Sequence, residues 1–451
     1  LLSIVKKSLP PAFVIVNVKI NKLDRTTVIP KKIPQSTHGI DIDSFDQDAI
    51  KVLQKLKEAG HSAYLVGGCV RDLLLKKKPK DFDISTSAKP EEIKRLFKNC
   101  ILIGKRFRLA HLRFGRNKIL EVSTFRSGDT ENDALITRDN LWGSEEEDVL
   151  RRDFTINGLF YDCQTETIID YVDGYVDLQS HYLKTIGQPY VRFKQDPVRM
   201  IRCLKFQARF DLKVDDETKQ ALVECRKEIV KSAQARILEE LLKMLESGSA
   251  KSFFQLMSKF GLLEMLLPTV AHCLEHKDGI EIYSLLEQVD LYVQEGAYER
   301  LSRSFVLCSI IYTILHQHLM THVYKKDEPF HLGIVQAECH FIIEQIFKPF
   351  FHLPKKMKAK MTSILTLQYK LTPLDKKPSK KPRIPRAPEF SLALDFLRFR
   401  SNIDSELLPI WKLWNQTYEQ APKPKEPKKR APTRKRRRPK THHETPPAEH
   451  Q

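Results

Sequence analysis

The run Leu65-Val66-Gly67-Gly68-Cys69-Val70-Arg71-Asp72, followed after a lysine-rich link by Asp81-Phe82-Asp83-Ile84, constrains this chain more than any other segment. It reads as an apolar strand, a glycine turn, a helix opened by an Arg-Asp pair, and a second strand carrying two carboxylates. Alternate residues of a strand share a face, so Asp81 and Asp83 point one way while Phe82 points into the core. Two like charges side by side are costly unless a divalent cation neutralises them. A turn without Cβ atoms lets backbone N–H groups approach a phosphate. Together these are the parts of a phosphoryl- or nucleotidyl-transfer site.

The Asp-x-Asp spacing alone carries little. Asp41 and Asp43 share it, yet they precede Ser44-Phe45-Asp46-Gln47, which reads as a helix start capped by Ser44 and Gln47. Taken alone, Asp81 and Asp83 would serve equally well as an edge-strand charge pair. Context separates the two cases: Gly67-Gly68 and Arg71-Asp72 lie upstream, and a second acidic strand, Leu120-Glu121-Val122-Ser123-Thr124-Phe125-Arg126, lies downstream. An unpaired carboxylate between apolar neighbours is expensive, so Glu121 is expected as a third metal-site carboxylate.

With 451 residues, the chain has room for two or more domains. Its net charge of +19 points to a polyanionic partner. More than half of that charge sits in one tract: between 421 and 440, eleven basic residues face Glu426 alone, leaving +10. Such a tract cannot bury a core and reads as a disordered nucleic-acid-binding tail. The eight cysteines are scattered without Cys-x-x-Cys or Cys/His ligand spacing, which argues for a reducing cytoplasm and against structural zinc. His316, His318 and His322 lie in an apolar helical stretch without partnering carboxylates and read as packing or surface histidines. No segment reads as long enough to span a membrane, and the first residues carry lysines and apolar groups in the wrong order for a secretory signal.

Along the chain, residues 1–43 read as poorly ordered. A mixed α/β head with a small sheet follows at 44–185, with helices near 69–76 and from Pro90, and strands at 81–85, 100–103, 108–114 and 119–125. Residues 127–148 read as a long polar loop, and Phe160–Tyr171 as a final hairpin. After Asp196-Pro197 the period turns helical, with Val198, Ile201, Leu204, Lys205 and Ala208 on one face and Ile237, Leu238, Leu241, Leu242 and Leu245 on another. A helical neck is expected at 186–245 and an elongated helical body at 246–370, without further strands. A Pro/basic linker and one apolar helix carrying Leu394, Leu397, Trp411 and Trp414 are expected at 371–420, then the tail at 421–451.

These elements together resemble the class II nucleotidyltransferases of the polymerase-β superfamily, which hold bacterial poly(A) polymerases and CCA-adding tRNA nucleotidyltransferases. The resemblance covers about residues 45–270. Beyond the glycines and aspartates it includes Arg151-Arg152-Asp153-Phe154-Thr155-Ile156-Asn157, then Asp170-x-x-Asp173-Gly174-x-x-Asp177-Leu178. Asp196-Pro197-Val198-Arg199-Met200-x-Arg202 and Ala235-Arg236-Ile237-x-Glu239-Glu240-Leu241 complete it. Three departures stand out: Gln195 replaces a usual Glu and so bears on how Arg199 is oriented, Tyr175 replaces a Gly, and Gly158 replaces an Ala.

The resemblance implies a polymerase-β-like head and catalysis with Mg²⁺ or Mn²⁺ held by Asp81, Asp83 and Glu121, Asp153 being a further essential carboxylate. It implies that Gly67, Gly68, Arg71 and Asp72 hold triphosphate and ribose, and that Arg152, Asp153 and Asn157 contact sugar and phosphates. Asp196 and Arg199, one helical turn apart, would read the base of the incoming nucleotide. Within the family, Leu102-Ile103-Gly104-Lys105-Arg106-Phe107-Arg108-Leu109 and the basic tail resemble poly(A) polymerases. That implies template-independent addition of AMP from ATP to RNA 3′ ends, a role in RNA processing and decay, and decay machinery as a partner class. RNA contacts are expected from Lys105, Arg106, Arg430, Arg434, Lys435, Arg436, Arg437 and Arg438. A CCA-adding enzyme is the alternative inside the class. Outside it stands a non-catalytic RNA-binding protein with a decayed head, which the intact Asp81, Asp83 and Glu121 argue against.

Overall fold

The computed structural model describes residues 29–104, 109–115, 118–128, 141–276, 279–296, 302–325, 328, 330–375 and 382–421. The head opens with β1 (Lys31–Pro34), α1 (Gln35–His38), α2 (Gln47–Glu58), β2 (Ala63–Val66), α3 (Gly68–Leu74), β3 (Ile84–Thr86) and α4 (Pro90–Leu96). There follow β4 (Cys100–Ile103), β5 (Leu109–Phe114), β6 (Lys118–Thr124), the short β7 (Arg126–Ser127) and β8 (Leu141–Trp142), and α5 (Glu145–Leu150). The hairpin β9 (Leu159–Asp162) and β10 (Thr167–Asp170), α6 (Gly174–Gln179) and β11 (Tyr182–Leu183) close it.

Eight strands form one mixed sheet in the order β1-β10-β9-β2-β3-β6-β5-β4. Its pairs are antiparallel except β3 with β6. Alternation gives the sheet two unlike faces. Leu65, Ile84, Ala110, Leu112, Leu120 and Val122 turn into a core shared with Ile50, Leu53 and Leu56 of α2 and Ile93 of α4. The other face carries a smaller apolar cluster of Val66, Phe125, Val149, Phe160 and Ile169, and is open towards β4.

Several local expectations are corrected. Residues 31–34 belong to the sheet rather than to a poorly ordered segment: β1 pairs with β10, Ile33 packs on the head core, and Lys31 ion-pairs with Asp173. Charged residues suit an edge strand, which is why this one reads as a loop in sequence. Asp46, not Ser44, caps α2, accepting from the Asp48 and Ala49 N–H groups at 3.0 and 3.2 Å. The expected polar loop at 127–148 contains β8 and the start of α5, which Ser144 and Glu147 cap reciprocally. Asp81 and Asp83 lie in the extended lead-in to β3, where the Asp83 carbonyl accepts from the Val66 N–H at 3.1 Å.

Beyond the head come α7 (Pro189–Gln195), α8 (Val198–Phe210), β12 (Lys213–Val214), α9 (Asp216–Cys225), α10 (Gln234–Leu245) and α11 (Ala250–Lys259). Then follow α12 (Leu263–Leu266), α13 (Pro268–Leu274), α14 (Gly279–Gln294), α15 (Arg303–His318), α16 (Leu332–Phe347), α17 (Lys355–Leu371), α18 (Phe390–Ile403) and α19 (Leu408–Gln420). One apolar core runs from Phe154 and Leu183 of the head through these helices to Phe399.

Strands do occur past residue 196, because β12 pairs in parallel with β11. The single terminal helix is two helices, broken where Asp404 accepts from the Glu406 N–H at 2.9 Å. Arg303–Val323 is long and apolar enough to cross a membrane, contrary to the sequence reading, but it is mostly buried among the other helices. His318 does meet a carboxylate, Glu338 at 2.7 Å, while His316 packs beside Tyr312 and lies 3.3 Å from the Tyr369 hydroxyl.

Candidate active site

The glycine turn joins β2 to α3. Gly67 has φ +64°, a conformation side chains rarely adopt, and a Cβ there would stand 3.1 Å from Arg152 Nη1. A Cβ on Gly68 would lie 3.7 Å from Arg71 Nη2, so two guanidinium groups flank the turn. Across the sheet, the parallel register pairs Ile84 with Val122. Continued back one residue, it sets Asp83 level with Glu121. The next strand sets His111 opposite Glu121, with Nε2 3.3 Å from Oε1.

Asp83 keeps contact with solvent, yet desolvation by the surrounding protein, then the charges of Glu121 and Asp81, push its carboxyl up to about 6, against a smaller opposing pull from Arg152. Phe82, between the two aspartates, packs on the head core and meets Phe45 edge to face. Glu121 differs from its expected burial: its side chain is 50% exposed on the open face. Desolvation therefore does not single it out; its place beside Asp83 does. Among the described residues, no three His, Cys, Asp or Glu side chains form a ready-made cage around a metal position. Asp81, Asp83 and Glu121 are a row of hard oxygen donors in mutual repulsion, a donor set suited to Mg²⁺ or Mn²⁺.

The other expected carboxylates are answered by arginines. Asp72 Oδ1 accepts from Arg71 Nε and Nη2 at 2.9 and 2.5 Å, and Arg209 Nη2 reaches its Oδ2 at 3.0 Å. Arg71 also donates to Asn157 Oδ1 at 2.5 Å, and its guanidinium lies over the Phe206 and Phe210 rings of α8. Asp153 Oδ1 accepts from the Phe154 N–H and the Asn157 amide at 2.8 and 2.9 Å, while Arg202 lies 2.9 Å from Oδ2. Burial alone would push the Asp153 carboxyl up, but Arg202 and these hydrogen bonds hold it below the usual range. Arg71, Asp72, Asp153 and Asn157 thus form a lattice tying α3 and the 151–157 motif to α8. Asp153 Oδ2 itself is buried without a hydrogen-bond partner, with only the Arg202 guanidinium near it.

Sequence reasoning missed Asp148. It is fully buried, 2.8 Å from both Arg151 Nη2 and Arg152 Nη2. The i,i+3 and i,i+4 spacing to those arginines was the available signal. Arg152 Nη2 also donates to Ser85 Oγ at 3.2 Å, which links this pair to β3 beside Asp83.

Asp196 and Arg199 share the turn that opens α8, where the Asp196 carbonyl accepts from the Arg199 N–H at 3.0 Å. Asp196 closes α7 in an extended conformation, and Arg199 belongs to α8 beyond Pro197. Arg236 pairs with Asp196 Oδ2 at 2.8 Å, whereas Asp196 Oδ1 is buried and unpartnered. Arg199 donates to the carbonyls of Arg192 and Arg151, each at 3.1 Å. Gln195 Oε1 accepts from buried Arg192 at 2.9 Å, so the residue that departs from the pattern serves Arg192. Burial and the nearby Arg199 pull Arg192 down to about 9. Gly158 is explained by crowding, since a Cβ there would stand 2.7 Å from Val172 Cγ2. Lys105, Arg106, Arg430, Arg434, Lys435, Arg436, Arg437 and Arg438 lie outside the described residues.

A glycine turn flanked by arginines, beside a row of carboxylates on a mixed sheet, defines a nucleotidyltransferase head. Residues 63–184 match the family described as the poly A polymerase head domain. Residues 211–274 match the probable RNA and SrmB-binding site of polymerase A, and 334–444 the polymerase A arginine-rich C-terminus. The chain is 32% identical over 407 residues to poly(A) polymerase I of Escherichia coli O6:H1, covering 86% of each. It is 34% identical over 388 residues to poly(A) polymerase I of Haemophilus influenzae, covering 82% of this chain and 84% of that one. A CCA-adding enzyme of Lactobacillus delbrueckii is 37% identical over 221 residues, but that spans 48% of this chain and 54% of the enzyme. In fold, the chain is similar to a tRNA nucleotidyltransferase solved with a primer tRNA and an incoming ATP analogue. The TM-score there is 0.53 at 23% identity, covering 82% of this chain and 99% of that one. The chain belongs to the poly(A) polymerase I family of nucleotidyltransferases.

Proposed function

We propose that the protein adds AMP from ATP to RNA 3′ ends without a template, releasing pyrophosphate, in cytoplasmic RNA processing and decay. The observation that carries this is the likeness to poly(A) polymerase I along 82–86% of the chain, whereas likeness to the CCA-adding enzyme stops near half. Asp81, Asp83 and Glu121 would hold Mg²⁺ or Mn²⁺, hard cations that take carboxylate oxygens. When bound, such ions lower the pKa of the attacking 3′-hydroxyl and offset the charge of the triphosphate and departing pyrophosphate.

Gly67 and Gly68 let the triphosphate approach the backbone, with Arg152 and Arg71 supplying positive charge on either side. Asp72 and Asn157 keep Arg71 in place, Asp153 orienting Asn157, while Asp148 and Ser85 keep Arg152. The free Oδ1 of Asp196 is an acceptor for a base edge, and Arg199 braces the turn that presents it. RNA is gripped through phosphates by the segment 211–274 and by the basic tail, with little sequence preference. Removing residues 421–451 should weaken RNA binding and flatten its salt dependence while leaving ATP binding unchanged, as a binding titration across salt concentrations would read.

The deciding experiment supplies the purified protein with RNA, including tRNA ending before CCA, and either ATP or CTP alone. Long tails from ATP alone are expected; CTP incorporation that stops after two residues would establish the CCA-adding alternative.

A further inference from the structure

We infer that His111 is a positioning residue: it holds the Glu121 carboxylate in the cation-binding row, an inference that rests on Asp81, Asp83 and Glu121 being cation ligands. Three strands put the relevant groups in one line across the sheet. The register of β5 with β6 makes His111 the direct partner of Glu121, and that of β4 with β5 makes Ile101 the partner of His111. On the far side of Glu121 lies Asp83. Glu121 therefore has a like charge on one flank and an imidazole on the other, with His111 Nε2 3.3 Å from Oε1.

The two side chains differ in freedom. Glu121 is 50% exposed, whereas His111 is only 17% exposed. A half-exposed glutamate has several rotamers, and repulsion from Asp83 favours those that swing away from the row. A largely buried ring nitrogen within ion-pair reach of Oε1 selects among them and keeps the carboxylate in the row. Partners of this kind fix ligand orientation, and their loss commonly weakens a metal site.

The test uses the full chain with α,β-methylene-ATP and follows free Mn²⁺ by electron paramagnetic resonance. His111→Ala should weaken Mn²⁺ binding by about 10- to 100-fold, with RNA affinity and thermal midpoint unchanged. His111→Gln keeps an N–H donor and should recover most of the loss. Asp83→Ala is the control for the site itself. If it weakens Mn²⁺ binding while His111→Ala does not, positioning is refuted and the cation site stands. Undiminished Mn²⁺ binding in Asp83→Ala removes the cation site and this inference with it. Equal loss in the Ala and Gln variants, or a loss of RNA affinity in place of Mn²⁺ affinity, also overturns the role.

Discussion

The carboxylates on the open face of the sheet and those between head and neck differ in what answers their charge. Asp72, Asp148 and Asp153 each meet one or more arginines within 3.0 Å, and burial alone would make them intolerable as free anions. Asp81, Asp83 and Glu121 meet mainly each other, with His111 at one end and a weaker pull from Arg152 at the other. Pairing marks the first group as scaffold. Among the described residues no arginine or lysine ion-pairs with the row, as expected of a place where charge is to be supplied from outside.

The sharpest way to break this division is to remove one member of each group. Asp83→Ala should lower AMP incorporation by about 10³-fold or more, since a lost cation site forfeits several kcal/mol of transition-state stabilisation. Its thermal midpoint should hold or rise, because a repulsive neighbour has gone; a marked fall in midpoint would make Asp83 scaffold. Asp148→Ala should do the reverse in kind, costing about 3–5 kcal/mol in denaturant unfolding by leaving two arginines without their buried partner.

A pH series sharpens the same contrast. Burial would raise the Asp148 carboxyl, but Arg152 and Arg151 outweigh it and hold it below the usual range. Its stabilisation is thus present above the unfolded value of about 3.9 and lost as pH falls through the lower folded value. Asp148→Asn should be less stable near neutrality and lose less on acidification than the unaltered protein. The smallest effect is expected at Arg209, a partly buried second partner of Asp72. Arg209→Ala should cost about 1 kcal/mol, because Arg71 still answers Asp72.

Of the expected row, the sequence placed Glu121 in a strand, as the structure has it, but Asp81 and Asp83 stand just before β3 rather than within it. The scaffold was less legible, since its partners come from distant segments: Arg209 meets Asp72 across 137 residues. Asp196 and Arg199 were legible as neighbours because their i,i+3 spacing is one turn, closed here from the Arg199 N–H to the Asp196 carbonyl at 3.0 Å. What the spacing did not show is that Asp196 also ends α7, so the pair stands at the junction of two helices. Asp148 was hidden in an acidic run, Glu145-Glu146-Glu147-Asp148, whose members look alike in sequence although only the last is fully buried. The strand at 31–34 was invisible because a charged edge strand carries no apolar run.

The most direct test is anomalous diffraction from crystals soaked with Mn²⁺ and a non-hydrolysable ATP analogue. The account predicts manganese density between Asp81 and Asp83 with triphosphate oxygens beside it, and none near Asp72, Asp148 or Asp153. Manganese at one of the arginine-paired carboxylates, with the row bare, would contradict it.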